Sequence, residues 1–170
     1  MRRVRVVLAA GVLSVAAAGC QVPRGEAAPS SQAVRVEYVI DGDTLIADTR
    51  QGRERVRILG IDAPEVGHDG RDDECGAGEA TARLRELVEA GGGDVGIIVD
   101  EHASDRDRFG RLLRHVDVAG DDAADVLVTE GWAIAWVPRS AARPDRLDDY
   151  ERAEVVAREG RRGGWSTCGW

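Results

Sequence analysis

The sequence predicts an α+β domain in which a small closed β-barrel of five strands carries three helices. Five short stretches are apolar, either at every second residue or continuously, which is typical of strands. Three other stretches have apolar residues at helical spacing. The order is three strands, one helix, two strands and two helices, and 170 residues suffice for one such domain with a core.

The first three strands are expected to form a meander. They are predicted at Val34–Ile40, Thr44–Asp48 and Arg53–Ile61. Tight turns separate them, at Asp41-Gly42-Asp43 after the first strand and at Thr49-Arg50-Gln51-Gly52 after the second. On the third strand Arg57 lies between Val56 and Ile58, so its side chain should project from the face opposite to the core.

The remaining elements follow an irregular loop. Asp62–Cys75 is rich in Asp, Gly and Pro, and its acidic run Asp72-Asp73-Glu74 is expected to be a solvated loop face. The helices are predicted at Glu79–Ala90, Ala123–Glu130 and Leu147–Glu159. The fourth and fifth strands are predicted at Asp94–Asp100 and Gly110–Val118.

The N-terminus has the layout of a secretory signal, predicted at residues 1–19. Three arginines precede the apolar run Val6–Gly19, and Cys20 follows directly. At 1.5 Å a residue this run is shorter than a hydrocarbon core about 30 Å thick, which disfavours a permanent transmembrane helix. Ala17–Cys20 resembles the lipobox of bacterial lipoproteins, so Cys20 is the predicted lipid attachment site. The alternative is ordinary cleavage at a nearby Ala and release of the protein.

The chain is therefore expected to be exported to the cell envelope or the extracellular space, anchored to the membrane if Cys20 carries lipid. Residues 20–33 are predicted to be the lipid attachment site and a flexible tether, and residues 34–170 the folded domain. With Cys20 lipidated, Cys75 and Cys168 remain, and an even pair in an exported protein favours a disulfide over two free thiols.

The charge balance excludes one class of nucleic-acid-binding protein. The net charge is −8, and all 23 basic residues are Arg. A protein that coats nucleic acid through a general basic surface would carry the opposite charge. A small local phosphate site remains compatible with this composition.

Acids and arginines recur at predicted strand ends and in the loops that follow, where sites are common. They are Asp43, Asp62, Glu65, Arg57 and Arg111. Carboxylates on two neighbouring turns could hold a hard cation, and two guanidinium groups could clamp a phosphate. Taken singly, each residue also fits a hairpin turn, a loop cap or an exposed surface position. Together they point to phosphate ester chemistry.

Three motifs in this order resemble the staphylococcal nuclease (thermonuclease) family. They are Val39-Ile40-Asp41-Gly42-Asp43-Thr44, Val56-Arg57-Ile58-Leu59-Gly60-Ile61-Asp62-Ala63-Pro64-Glu65 and Asp105-Arg106-Asp107-Arg108-Phe109-Gly110-Arg111. Gly131-Trp132-Ala133 and Gly164-Trp165-Ser166 are further points of similarity. The resemblance extends over nearly all of the predicted domain.

The resemblance implies an OB-fold and a monomeric, calcium-dependent endonuclease that leaves 3′-phosphate ends on DNA or RNA. Asp43, Asp62 and the backbone carbonyl of Ala63 would bind Ca²⁺. Glu65 would position or deprotonate the attacking water. Arg57 and Arg111 would bind the phosphate and stabilise its growing charge.

The resemblance also implies substrate contacts by Arg108 and Phe109. Phe109 stands where the family commonly has Tyr, which removes a hydroxyl group that could contact a terminal phosphate. A base would stack on Trp136 or on Val137, and Trp136 is the better candidate because it is aromatic. Ala63 stands where Thr is common, and the carbonyl ligand is unaffected by that difference.

Two alternatives belong to other functional classes. One is an OB-fold that binds single-stranded nucleic acid without cutting it, and the other is a structural envelope lipoprotein. The presence of all five charged site residues favours the nuclease.

Overall fold

The structure is a computed structural model, and it describes residues 30–170. The strands are β1 (Ser31–Val39), β2 (Thr44–Thr49), β3 (Gly52–Ile58), β4 (Ile61–Asp62), β5 (Asp94–Ile98), β6 (Leu112–Val118), β7 (Asp121–Asp122) and β8 (Ile134–Ala135). The helices are α1 (Ala77–Ala90), α2 (Ala123–Thr129), α3 (Leu147–Glu159) and α4 (Gly164–Thr167).

Five strands close into a barrel. β1 pairs with β2 and β5, β2 with β3, and β5 with β6, all antiparallel. A parallel pairing between β3 and β6 closes the circle, with Arg57 opposite Leu113. The predicted α+β barrel with three helices is confirmed, and it has the form of an OB-fold. The one-turn helix α4 is additional.

Two of the differences from the predicted strand boundaries change which segments pair. β1 begins at Ser31, ahead of the expected domain start at Val34, because residues 31–33 pair with β5. The predicted third strand is interrupted at Gly60, whose φ is +79°. A Cβ atom at Gly60 would lie 2.9 Å from the Tyr150 ring, so the chain turns here against α3. After this turn β4 pairs with β8 instead of extending β3.

One apolar core fills the barrel and extends under the helices. Its fully buried members include Leu45, Val56, Ile58 and Val116 from the strands. Leu84 of α1, Leu127 of α2 and Leu147 of α3 join the same core. Burying one such side chain contributes about 1.5–3 kcal/mol relative to exposing it. The helices are therefore fixed to the barrel, and the loops between these elements are held in place.

Cys75 and Cys168 form a disulfide, as the sequence predicts, with an S–S distance of 2.06 Å. It links the start of α1 to the residue after α4, across 93 positions of sequence. Closing a loop of that length stabilises the fold by about 4 kcal/mol in the chain-entropy model.

The predicted signal sequence, Cys20 and most of the predicted tether lie outside the described residues. Within residues 30–170 no helix combines the length and the apolar character needed to cross a membrane.

Candidate active site

A cleft of about 760 Å³ opens beside the ends of β3 and β4. Eight of the residues singled out in the sequence line it: Arg57, Asp62, Glu65, Arg108, Phe109, Arg111, Trp136 and Val137. They come from the end of β3, from β4 and the loop after it, from the loop before β6 and from the segment after β8. Asp43 and Ala63 do not line the cleft: Asp43 forms an ion pair with the lining residue Arg57, and the Ala63 N–H donates to Asp43.

Asp43 is buried in the turn between β1 and β2, with 1% of its surface exposed. Its Oδ2 accepts a hydrogen bond from the Ala63 N–H (2.9 Å), and its Oδ1 accepts one from the Thr44 hydroxyl (2.9 Å). The preceding Gly42 permits this close approach, since a Cβ atom there would lie 2.6 Å from that of Ala63 and 2.7 Å from that of Ala80. The turn is thus packed tightly against the loop after β4.

Arg57 connects the two predicted metal-binding carboxylates. Its guanidinium forms an ion pair with Asp43, and its Nη2 donates to Asp62 Oδ1 (2.7 Å) and to the Ile61 carbonyl (3.0 Å). Arg57 lies outside the apolar core, in agreement with the prediction, yet the residue is only 8% exposed. The turn before β2 and the segment around β4 cover it, and the paired acids compensate for its loss of water.

Two acids close to Arg57, Glu65 and Asp41, have raised pKa values. Glu65 is exposed, yet the surrounding protein limits the hydration of its carboxylate, and this raises its pKa, with the negative charge of Asp41 adding to the effect. Burial likewise raises the pKa of Asp41, against the lowering influence of Arg57. The sequence analysis had assigned Asp41 only to a motif. Its position two residues before Asp43, in the same turn, was the available signal.

Arg111 is oriented by Asp107, a residue that the sequence analysis did not single out. Its Nε donates to Asp107 Oδ2 (2.7 Å), while Asp107 Oδ1 accepts from the backbone N–H groups of Arg111 (3.0 Å) and Phe109 (2.9 Å). Burial alone would raise the pKa of Asp107, but these hydrogen bonds outweigh it and lower the pKa. The ionised Asp107 therefore holds the loop and directs the arginine.

Two aromatic side chains are exposed in the cleft. Phe109 is 66% exposed, and the guanidinium of Arg108 lies 4.6 Å from its ring centroid. Trp136 is 44% exposed, and its backbone N–H is fixed to the Gly60 carbonyl (2.8 Å). Val137, the other candidate for base stacking, is partly buried against the core. Exposed rings of this kind can stack on bases.

The donor set at this end of the cleft fits a hard divalent cation. Asp43 and Asp62 both contact the guanidinium of Arg57, so the two carboxylates lie beside the same side chain. Asp41 and Glu65 lie close enough to influence each other's electrostatics. Four carboxylate groups around one buried guanidinium leave an excess of negative charge, and oxygen ligands of this type suit Ca²⁺ or Mg²⁺.

A second group of side chains that could hold a metal ion consists of Asp100, His102 and Asp145. One potential ligand atom from each lies within 4.8 Å of the other two. Asp100 is buried, and it accepts hydrogen bonds from the backbone N–H groups of His102 (2.8 Å) and Asp145 (2.7 Å). His115 Nε2 lies 2.9 Å from Asp100 Oδ2, and Nδ1 of the same ring lies 3.2 Å from the Tyr150 hydroxyl. These contacts make Asp100 a structural link between loops.

Comparisons with known proteins show which family the chain resembles. The family model described as staphylococcal nuclease homologue matches residues 55–167. Probable endonuclease LCL3 of Schizophyllum commune (strain H4-8 / FGSC 9210) is 31% identical over 134 residues, covering 72% of this chain and 44% of that protein. Endonuclease YncB of Bacillus subtilis (strain 168) is 29% identical over 138 residues, covering 81% and 63%.

Thermonuclease of Staphylococcus hyicus is 26% identical over 106 residues, covering 62% of this chain and 60% of that protein. The chain thus spans between 44% and 63% of the length of these relatives. Because the family model matches well over half of its residues, the chain belongs to the staphylococcal nuclease family.

Proposed function

We propose that this protein is a monomeric, calcium-dependent nuclease that hydrolyses phosphodiester bonds of DNA or RNA and leaves 3′-phosphate ends. The observation that carries the proposal is the convergence of Arg57, Asp62, Glu65 and Arg111 on one cleft. The compared relatives, which are named as endonucleases and a thermonuclease, support it.

The two arginines would supply the electrostatic part of catalysis. A phosphodiester is already anionic and gains further charge as water attacks, so fixed cationic donors stabilise the transition state more than the ground state. Asp107 directs Arg111, and Asp43 and Asp62 hold Arg57, before any substrate arrives. This preorganisation avoids the cost of ordering two long side chains during the reaction.

Glu65 would orient the attacking water and accept its proton. Its raised pKa makes the carboxylate a stronger base than an ordinary glutamate. Asp43, Asp62 and the Ala63 carbonyl would hold the calcium ion. Bound there, Ca²⁺ would polarise a phosphoryl oxygen and favour ionisation of water.

Stacking would bind the nucleotide without reading its sequence. Phe109 and Trp136 present exposed rings in the cleft that holds the charged residues. Every base has a flat face, so such contacts accept all four bases and favour unpaired strands. Arg108, beside Phe109, adds a positive charge for the backbone.

The test is cleavage of denatured DNA and of RNA by the purified protein, with Ca²⁺ and with a calcium chelator. We expect cleavage with Ca²⁺, loss of cleavage on chelation, and new ends that a polymerase extends only after phosphatase treatment. Binding to single strands without cleavage would favour the non-cutting OB-fold. The absence of both binding and cleavage would favour the structural lipoprotein.

We also propose export and lipid anchoring through Cys20. The leader supports this, and the Cys75–Cys168 disulfide is compatible with an oxidising compartment. Wild-type protein should partition with membranes, whereas Cys20→Ser should be released or remain unprocessed. A mature wild-type protein whose first residue is not Cys20 would contradict lipidation.

A further inference from the structure

The loop that carries Glu65 is closed at its base by a single residue, Glu74. The Glu65 N–H donates to Glu74 Oε2 (3.0 Å), and the Glu74 N–H donates to the Glu65 carbonyl (3.0 Å). Both hydrogen-bonding groups of the Glu65 main chain are therefore fastened to Glu74. We call residues 63–76 the Glu65 loop.

The acidic run in this loop is more than the solvated face that the sequence predicted. Glu74 holds Glu65, and Asp73 Oδ1 accepts a hydrogen bond from the Gly67 N–H (2.8 Å). A Cβ atom at Gly67 would lie 2.1 Å from the Arg71 carbonyl oxygen, so the two sides of the loop touch there. Two neighbouring carboxylates thus fasten two different points, one beside the cleft and one further along the loop.

The residues that follow Glu74 are anchored covalently. Cys75 is bonded to Cys168, just after α4. At Gly76, a Cβ atom would lie 3.5 Å from Cys168 Sγ, 3.5 Å from the Trp170 ring and 3.6 Å from Pro64 Cγ. The C-terminal residues and the neighbour of Glu65 therefore meet at one place.

The C-terminal residues are themselves fixed to the body of the domain. A Cβ atom at Gly164 would lie 2.6 Å from the Trp170 ring, and the Gly164 N–H donates to the Gly131 carbonyl (2.8 Å), just beyond α2. On the N-terminal side of Glu65, the Ala63 N–H donates a hydrogen bond to the Asp43 carboxylate. Glu65 consequently lies between two fixed points, Ala63 and Glu74.

We propose that Glu74 and the Cys75–Cys168 disulfide form a clamp that positions Glu65 for the hydrolytic reaction. This inference rests on the proposed nuclease function. Glu74 is a positioning residue, since its carboxylate holds the Glu65 backbone and leaves the Glu65 carboxylate available to water. Small displacements matter at such a position, because a shift of about 1 Å in a reacting group can reduce turnover ~10²-fold.

The decisive variant is Glu74→Ala, which removes one of the two hydrogen bonds. We expect kcat to fall roughly 10- to 100-fold, with KM changed by less than about twofold, because substrate binding depends on other residues. Glu74→Gln should retain most of the activity, since its amide oxygen can accept the same hydrogen bond. The matched control is Asp73→Ala, which releases Gly67 and should leave kcat close to that of the wild type.

The disulfide is tested with the double variant Cys75→Ser/Cys168→Ser, assayed well below its melting temperature. Its kcat should also fall, as in Glu74→Ala, and its KM should be preserved. A wild-type kcat in Glu74→Ala, or an equal loss in Asp73→Ala, would overturn the clamp. A wild-type kcat in the double variant would exclude the disulfide from the clamp.

A readout without substrate separates this inference from the proposed function. Hydrogen exchange of the Glu65 amide should be faster in Glu74→Ala than in the wild type and unchanged in Asp73→Ala. If the wild type cleaves no nucleic acid, the proposed function is wrong. In that case the exchange rates still show whether Glu74 fixes the Glu65 backbone. Equal rates in Glu74→Ala and the wild type would refute the clamp.

Discussion

Glu65→Gln is expected to lower kcat roughly 10²- to 10⁴-fold, the usual contribution of a positioned acid or base, and to leave KM nearly unchanged. The amide has the size of the carboxylate but cannot take a proton from water. The arginines and aromatic rings that would bind the substrate are untouched, so binding should persist. The measurement is steady-state cleavage of denatured DNA at saturating Ca²⁺.

Glu79→Gln is the matched control for this result. Glu79 is an exposed acid in the first turn of α1 and does not line the cleft. The same chemical change there should leave kcat and KM unaffected. Near wild-type turnover in Glu65→Gln would exclude Glu65 as the base, even for an active nuclease.

Arg57→Lys is expected to reduce both turnover and stability. An ammonium group keeps the charge but cannot contact Asp43, Asp62 and the Ile61 carbonyl together, as the guanidinium does. Loss of one preorganised donor typically costs ~10²–10³ in kcat. The free energy of unfolding should also fall, because Asp43 is buried and loses part of its compensation. Removing a partner from such a pair costs about 3–5 kcal/mol, an upper limit for a replacement that keeps the charge.

Arg111→Lys is the informative comparison. Its side chain is 22% exposed, against 9% for Arg57, and Asp107 retains hydrogen bonds from two backbone N–H groups without it. We therefore expect a similar loss of kcat with a smaller loss of stability, measured by urea unfolding. Equal stability losses would show that burial of Arg57 does not govern its contribution, and wild-type kcat in both variants would exclude this phosphate site.

Local sequence patterns predicted the order of the main elements because apolar periodicity is a local property. Helix α3 has the predicted bounds, Leu147–Glu159. The break between β3 and β4 was not predictable in this way, since it depends on the contact of Gly60 with Tyr150, 90 positions away in the sequence. Boundaries of this kind are set by tertiary packing.

The same distinction applies to the cleft. The predicted charged residues lie together because each belongs to a short motif beside a strand end. Asp107 and Glu74 were missed, since each acts on its neighbours through backbone hydrogen bonds that composition does not reveal. Burial of Arg57 was missed because two other segments cover it.

The parallel pairing of β3 with β6 has a consequence for synthesis of the chain. It places Arg57 opposite Leu113, so the two arginines of the cleft become neighbours only when segments more than 50 positions apart have met. Pairing of such distant segments is slow compared with helix or hairpin formation. A chain that has emerged only to the end of α1 contains Asp43, Arg57 and Glu65 but lacks Arg111. The proposed phosphate-binding pair therefore does not exist on a chain that ends before Arg111.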